Sequence, residues 1–220
     1  MKHSFSVTRI LILLLIPTML MTIPLSGCDK EVPLSPLEQR LDIYLNNMQA
    51  SAISLEHALD AIEGARVTNT AKRMRGALQL ISKAFYALET ADHDVRAYIT
   101  FVNNNRTAIS AQGLNPYLDI REILDLHLTR KRGAIKNYLV HLERWLSYSA
   151  DNYAKLKAGD LRVRKSYDAL LIAVNRKLNQ YNRVNDQYQR HTHAFLQRYP
   201  QLKKKFKRQY KIMKEEMGWL

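Results

Sequence analysis

The sequence predicts an all-α protein, an elongated antiparallel four-helix bundle with a short basic amphipathic helix at its C-terminus. Three observations predict it. Apolar residues recur at alternating spacings of four and three through four long stretches, the heptad pattern of shallow-angle helix packing. Seven glycines and six prolines in 220 residues leave few places to turn, which favours a few long elements. No stretch alternates apolar and polar residues for long enough to compete as a strand.

The chain opens "MKHSFSVTRILILLLIPTMLMTIPLSGCDK". Lys2 and Arg9 form a positive start, Ile10 to Ile23 is apolar, and small Ser26 and Gly27 precede Cys28. This is the layout of an export signal, and the apolar stretch is short for a bilayer-crossing helix, which takes about 20 residues. The run Leu25-Ser26-Gly27-Cys28 resembles the lipobox of bacterial lipoproteins. The resemblance covers residues 1–30. It implies that the Cys28 thiol receives a diacylglyceryl group, that the chain is cut before it, and that the new amino terminus is acylated. The competing reading is an ordinary signal peptide with a chance cysteine, yet Cys28 is the only cysteine in the chain. A single cysteine forms no disulfide within the chain, so stability must come from the core. Two or more acyl chains anchor stably where one binds marginally. Asp29 resembles the inner-membrane retention signal of enterobacterial lipoproteins, and Lys30 departs from its strongest form. The expected location is therefore the cell envelope, lipid-anchored and periplasm-facing, with Asp29 slightly favouring the inner membrane and Lys30 leaving the outer one open.

The expected organisation is a signal at 1–27, a lipidated linker at 28–35, a helical bundle at 36–200 and a basic amphipathic helix at 201–220. Removing the signal takes away Lys2 and Arg9 and no acid, lowering the net charge from +14 to about +12. A basic excess often points to nucleic acid. An exported, tethered protein instead meets anionic lipid or an acidic envelope polymer.

The first helix opens with Ser35 as cap, Pro36 at its first position and Glu38 completing a capping box. Its seam runs Leu41, Leu45, Met48, Ala52, Leu55, Leu59 and Ile62, and Gly64 supplies a stop. The second seam is Met74, Leu78, Ile81, Phe85, Leu88, Asp92, Val95, Ile99 and Val102, dissolving into a loop at "NNNRTAISAQGLNP". Asn115 as cap and Pro116 begin the third helix, irregular through "TRKRG" and regular from Ile135 through Leu139, Leu142, Leu146, Ser149 and Tyr153 to Leu156. Gly159 ends it and Asp160 caps the fourth, whose seam is Leu171, Val174, Leu178, Tyr181, Asn185, Tyr188, Thr192, Phe195 and Tyr199. "LEQRLDIYLNNM" and "YNRVNDQYQ" resemble the first and last helices of YiiG-like helical lipoproteins, whose function is uncharacterised. That similarity implies a helical lipoprotein and no chemistry.

An even number of rods returns the chain to the end where it began. The closing segment "QLKKKFKRQYKIMKEEMGWL" then lies near the lipid. Leu202, Phe206, Tyr210, Met213, Met217 and Leu220 form one stripe, with Lys203, Lys204, Lys205, Lys207, Arg208, Lys211 and Lys214 around it and Trp219 near the end. Such a helix suits an anionic membrane surface; alternatively its stripe packs on the bundle or a partner helix while the lysines are solvated. At the opposite end Arg66, Lys72, Arg73, Arg75, Arg162, Arg164 and Lys165 gather around two turns, as a solvated end or as a patch for an acidic partner. Basic residues at helix N-termini oppose the macrodipole, so they do not serve the helix starts.

Catalytic signals are missing. No nucleotide-binding glycine loop, H-E-x-x-H or cysteine cluster occurs, and no cofactor or metal is expected. His191 and His193, Asp125 and His127, and Asp92 and His93 are spaced so that a helix points them apart. Asp119, Glu122 and Asp125 share a helical face, best read as a solvated acidic stripe. Asp92, Asn185 and Thr192 occupy seam positions that want apolar residues, which suits register setting or a water-satisfied layer. The leading reading is a non-enzymatic binding or scaffolding module anchored in the envelope. The alternative is a helical carrier of a lipid or small molecule, with helix-four aromatics lining its cavity.

Overall fold

Proline at a first helical position and a hydroxyl just before it start the first helix as the sequence anticipates. In the computed structural model, which describes residues 34–66 and 70–216, Ser35 Oγ accepts from the Glu38 amide at 3.2 Å and α1 runs Pro36–Arg66. It passes through Gly64 rather than stopping there. Thr70 caps α2 (Ala71–Asn104), accepting from the Arg73 amide. The expected loop after it holds a further short helix, α3 (Arg106–Ala111), because Ile109 is wholly buried and pins the segment to the core.

The third rod is segmented. It comprises α4 (Asn115–Asp119), α5 (Arg121–Leu126), a π-turn (His127–Lys131), α6 (Arg132–Asp151) and α7 (Tyr153–Lys157). Leu114, not Asn115, stands at the cap position of α4, without a side-chain bond, and Pro116 falls inside its first turn. The irregular "TRKRG" stretch overlaps the π-turn, where one extra residue enters the helical ladder. Gly159 closes the rod at φ +80°, a left-handed conformation that glycine adopts without a side-chain clash. Asp160 then accepts from the Arg162 and Val163 amides at 2.9 and 3.1 Å and starts α8 (Leu161–Arg198). At 38 residues α8 is about 57 Å long. Tyr199 caps it, and α9 (Pro200–Glu216) follows.

Every regular element among the described residues is helical, and the protein is an all-α bundle. α1 packs on α2, α2 on α6 and α6 on α8. Two apolar clusters divide the core by height. One joins Leu55 to Ile62 of α1, Met74 to Ala91 of α2, α6, and Val174 and Tyr181 of α8. The other joins Leu41 to Met48 of α1, Val95 to Val102 of α2, α3 to α5, Phe195 and Leu196 of α8, and Leu202 and Phe206 of α9. The first half of each rod thus pairs with the second half of the next, as an up-and-down path demands. Leu37 and Tyr199 both pack on the second cluster, so α1 begins and α8 ends at the same pole. We call this the terminal end, and its opposite the hairpin end.

On α2 the buried face is Met74, Ala77, Ile81, Ala84, Leu88, Ala91, Val95, Tyr98 and Val102. Leu78, Phe85 and Ile99, expected in the seam, are only half-buried beside it. The seam is turned by about one residue toward the small alanines, which let α2 approach its neighbours closely.

Candidate functional site

Two places deserve description: the basic C-terminal helix and a polar belt between the two core clusters. No helix among the described residues is long and apolar enough to cross a membrane. Cys28 and Trp219 lie outside the described residues, as do the side chains of Arg66 and Lys214.

The break at Tyr199–Pro200 lets α9 turn back along the flank, where it packs on both α8 and α1. Lys205 pairs with Asp42, Gln49 Nε2 donates to the Phe206 carbonyl at 2.9 Å, and Tyr210 reaches the level of Ile53. The described part of the apolar stripe therefore faces the bundle, while the side chain of Met213 and all of Met217 and Leu220 lie outside the described residues. Leu202 and Phe206 are buried in the terminal-end core, so placing Phe206 on a lipid-facing surface is corrected. A ring that fills a gap in the core cannot also lie in a bilayer. Lys205 likewise faces inward. Besides Asp42 it contacts the Tyr117 hydroxyl at 3.1 Å, and that hydroxyl donates to Asp42 at 2.9 Å. Burial and the Asp42 bond push the Tyr117 hydroxyl strongly upward, so it stays protonated as a donor. Lys204, Lys207, Arg208 and Lys211 are exposed and share a face; Lys203 is half-buried. Lys211 approaches Glu215 at 3.6 Å.

At the hairpin end Lys72, Arg73 and Arg75 open α2 and Arg162, Arg164 and Lys165 open α8, all six exposed. The acidic stripe is less uniform than expected. Glu122 is exposed and Asp125 pairs with Arg121 at 3.6 Å, but Asp119 receives the Tyr199 hydroxyl. His93, His191 and His193 are exposed. Among the described residues no group of three or more His, Cys, Asp or Glu is arranged to hold a metal ion.

The polar belt was only half visible in the sequence. Asp92, noted for its seam position, is buried on α2 and carries two partners from the π-turn region. His127 Nε2 lies 3.3 Å from Asp92 Oδ1, and Arg132 Nε pairs with Oδ2. Asp125, two positions before His127, points elsewhere, and the partner of His127 stands 35 residues back on another helix. Burial lowers the affinity of His127 for a proton, outweighing the Asp92 bond that raises it, so the imidazole is held neutral. Lys131, the last residue of the π-turn, is 3% exposed, with its ammonium 4.1 Å from the centroid of the Tyr188 ring. Burial pushes Lys131 down to about 8, against the opposing pull of Glu56. Asn185 is buried with no hydrogen bond to Oδ1, and Thr192 is buried beside Tyr188. The only advance signal for Lys131 was the loss of heptad regularity at "TRKRG".

Between α1, α5, α8 and α9, at the height of this belt, lies a cavity of about 90 Å³. Its walls are mostly apolar, with Leu45, Ile53, Ile123, Phe195 and Phe206 prominent. His127, Lys131, Thr192 and Gln49 supply the polar groups. Gln49 Oε1 is buried without a hydrogen bond.

The arrangement defines a helical-bundle protein with a basic flank and a small, mostly apolar cavity between its helices. Comparison with protein-family models, curated proteins and solved structures finds no match.

Proposed function

We propose that the protein is a membrane-anchored bacterial envelope lipoprotein, held by lipid on Cys28, that acts as a non-enzymatic binding or scaffolding module. The observation that supports this reading is the shared pole: Leu37 and Tyr199 pack on one cluster, so the start of α1 and the start of α9 adjoin. From Cys28 the linker spans at most roughly 25 Å before α1. That reach lets the α9 flank, with Lys204, Lys207, Arg208 and Lys211, lie against an anionic lipid surface. Each basic residue there contributes about 1 kcal/mol, less screening. The basic group at the hairpin end, from Lys72, Arg73, Arg75, Arg162, Arg164 and Lys165, is left for an acidic envelope polymer or protein. Carriage of a lipid is less well supported, because drug-sized ligands need about 300 Å³ or more.

A Cys28→Ala form, which cannot be acylated, tests the flank. It should bind vesicles containing anionic lipid and ignore zwitterionic ones. Lys204→Glu with Lys207→Glu should weaken that binding by at least about tenfold. Binding that is indifferent to either change would remove α9 from the reading. Absence of an acyl mass on Cys28 in the native host would remove the anchor.

A further inference from the structure

Lys131 stands apart from the other lysines described. It sits in a π-turn, a deformation of the helix that recurs at functional sites. Its side chain is buried rather than solvated, and it lines a mostly apolar cleft within the bundle. The groups around it come from every neighbouring element. Glu56 of α1 supplies the opposing charge, and Tyr188 of α8 offers its ring face. His127 precedes it in the same turn, while Asp92 of α2 is engaged by His127 and Arg132. Two further polar groups stand on the cavity wall: the Thr192 hydroxyl, beside Tyr188, and Gln49 Oε1, which has no hydrogen bond.

We infer that the cavity is a covalent capture site for small aliphatic aldehydes, with the Lys131 amine as the nucleophile. A buried amine in an apolar space is the arrangement that makes lysine reactive toward carbonyl compounds. The Lys131 Nζ lone pair forms a bond to the aldehyde carbon, and the carbonyl π pair takes a proton to become a hydroxyl. Loss of that hydroxyl with the remaining amine proton releases one water and leaves a C=N bond. No oxidant or reductant takes part. Thr192 is the donor for the carbonyl oxygen, and Gln49 Oε1 accepts from the hydroxyl that forms. The volume sets the size of the guest: an apolar cavity of about 150 Å³ accommodates benzene, so about 90 Å³ suits a molecule of roughly four heavy atoms. Phe206 and Tyr210 of α9 form one wall. The site goes beyond the anchoring role proposed above and stands whether or not α9 touches lipid.

With its proton affinity lowered to about 8, a tenth or so of Lys131 is neutral at pH 7, against well under a thousandth of an ordinary lysine. Full-length protein in zwitterionic detergent is incubated with propanal at pH 7, reduced with borohydride, and mapped by mass spectrometry. Propyl groups should accumulate on Lys131 on the order of a hundredfold faster than on exposed Lys72, Lys204 and Lys207. The rate at Lys131 should level off near pH 8, while theirs climbs past pH 10. Thr192→Val, which keeps the shape, should slow Lys131 about fivefold and leave Lys204 unchanged. Label appearing first on surface lysines, or on Lys131 only above pH 10, overturns the inference. So does a Thr192→Val protein labelled at Lys131 as fast as the wild type.

Discussion

The hairpin-end core and the belt beneath it are built from the same four rods, but they obey different rules. In the hairpin-end half, Ile135, Leu139, Leu142 and Leu146 of α6 face Ile81, Ala84 and Leu88 of α2 and Val174 of α8, apolar against apolar. One step toward the terminal end the same seams carry Asp92, Asn185, Thr192 and, through a π-turn, His127 and Lys131. The first region gets its stability from apolar area removed from water, at about 25 cal/mol per Å². The second buries charged and polar groups whose desolvation must be offset by Asp92–Arg132, Asp92–His127 and the Tyr188 ring. A heptad protein that only needed stability would continue the apolar seam. The interruption, the π-turn and the cavity coincide at one height, which marks the belt as the part of the bundle shaped for something other than stability.

The comparison breaks most visibly at Leu142. It is wholly buried among apolar neighbours, so Leu142→Ala should cost about 3 kcal/mol of global stability through lost burial and a residual cavity. A chemical-denaturation midpoint measures it. A cost under about 1 kcal/mol would mean that this half is loosely packed and that the contrast with the belt is unfounded.

The belt should instead respond to pH. Lys131 binds its proton with a value near 8 in the folded protein and near 10.5 when unfolded. Between those limits the unfolded chain holds more protons, so stability rises with pH, by at most about 2 kcal/mol from pH 8 to 10. As pH approaches 10 the sign reverses. Tyr98, Tyr117 and Tyr181 have hydroxyls pushed up by burial, so the unfolded chain loses those protons first and folding weakens. Denaturation midpoints at pH 8, 8.5 and 9, below the range where tyrosines of the unfolded chain ionise, should therefore climb in the wild type and stay flat in Lys131→Met. A flat wild-type profile would place the Lys131 ammonium in water.

The same division governs what the sequence revealed. Heptad spacing located the four rods, and Ser35, Gly159 and Asp160 fixed helix ends, because these signals act within one or two turns of the chain. The α2 seam was placed about a residue off, since Leu78 and Phe85 outrank Ala77 and Ala84 in hydrophobicity while close helix approach favours alanine. The α9 stripe was recognised as amphipathic, but only Lys205–Asp42 and Gln49–Phe206 decide that its apolar side faces the bundle. Those contacts bring together residues more than 150 positions apart. The belt was the least legible. Asp92 announced itself by occupying a seam, whereas His127 and Lys131 enter the interior only because the π-turn rotates them there.

Helix starts offer the mildest test of the contrast between local and long-range rules. The Asp160 carboxylate holds two amides at the start of α8, where Arg162, Arg164 and Lys165 oppose the helix dipole. Its negative charge therefore does two things at once, satisfying donors and offsetting three cations. Asp160→Ala should destabilise the protein by about 1 kcal/mol, and Asp160→Asn, which keeps the acceptor but loses the charge, by roughly half as much. Hydrogen exchange at the first turn of α8 should quicken in both, while the amides of α6 near Leu142 stay protected. If the two substitutions prove equal, the cap acts through its hydrogen bonds alone, and the basic group at the hairpin end is already neutralised by solvent and salt.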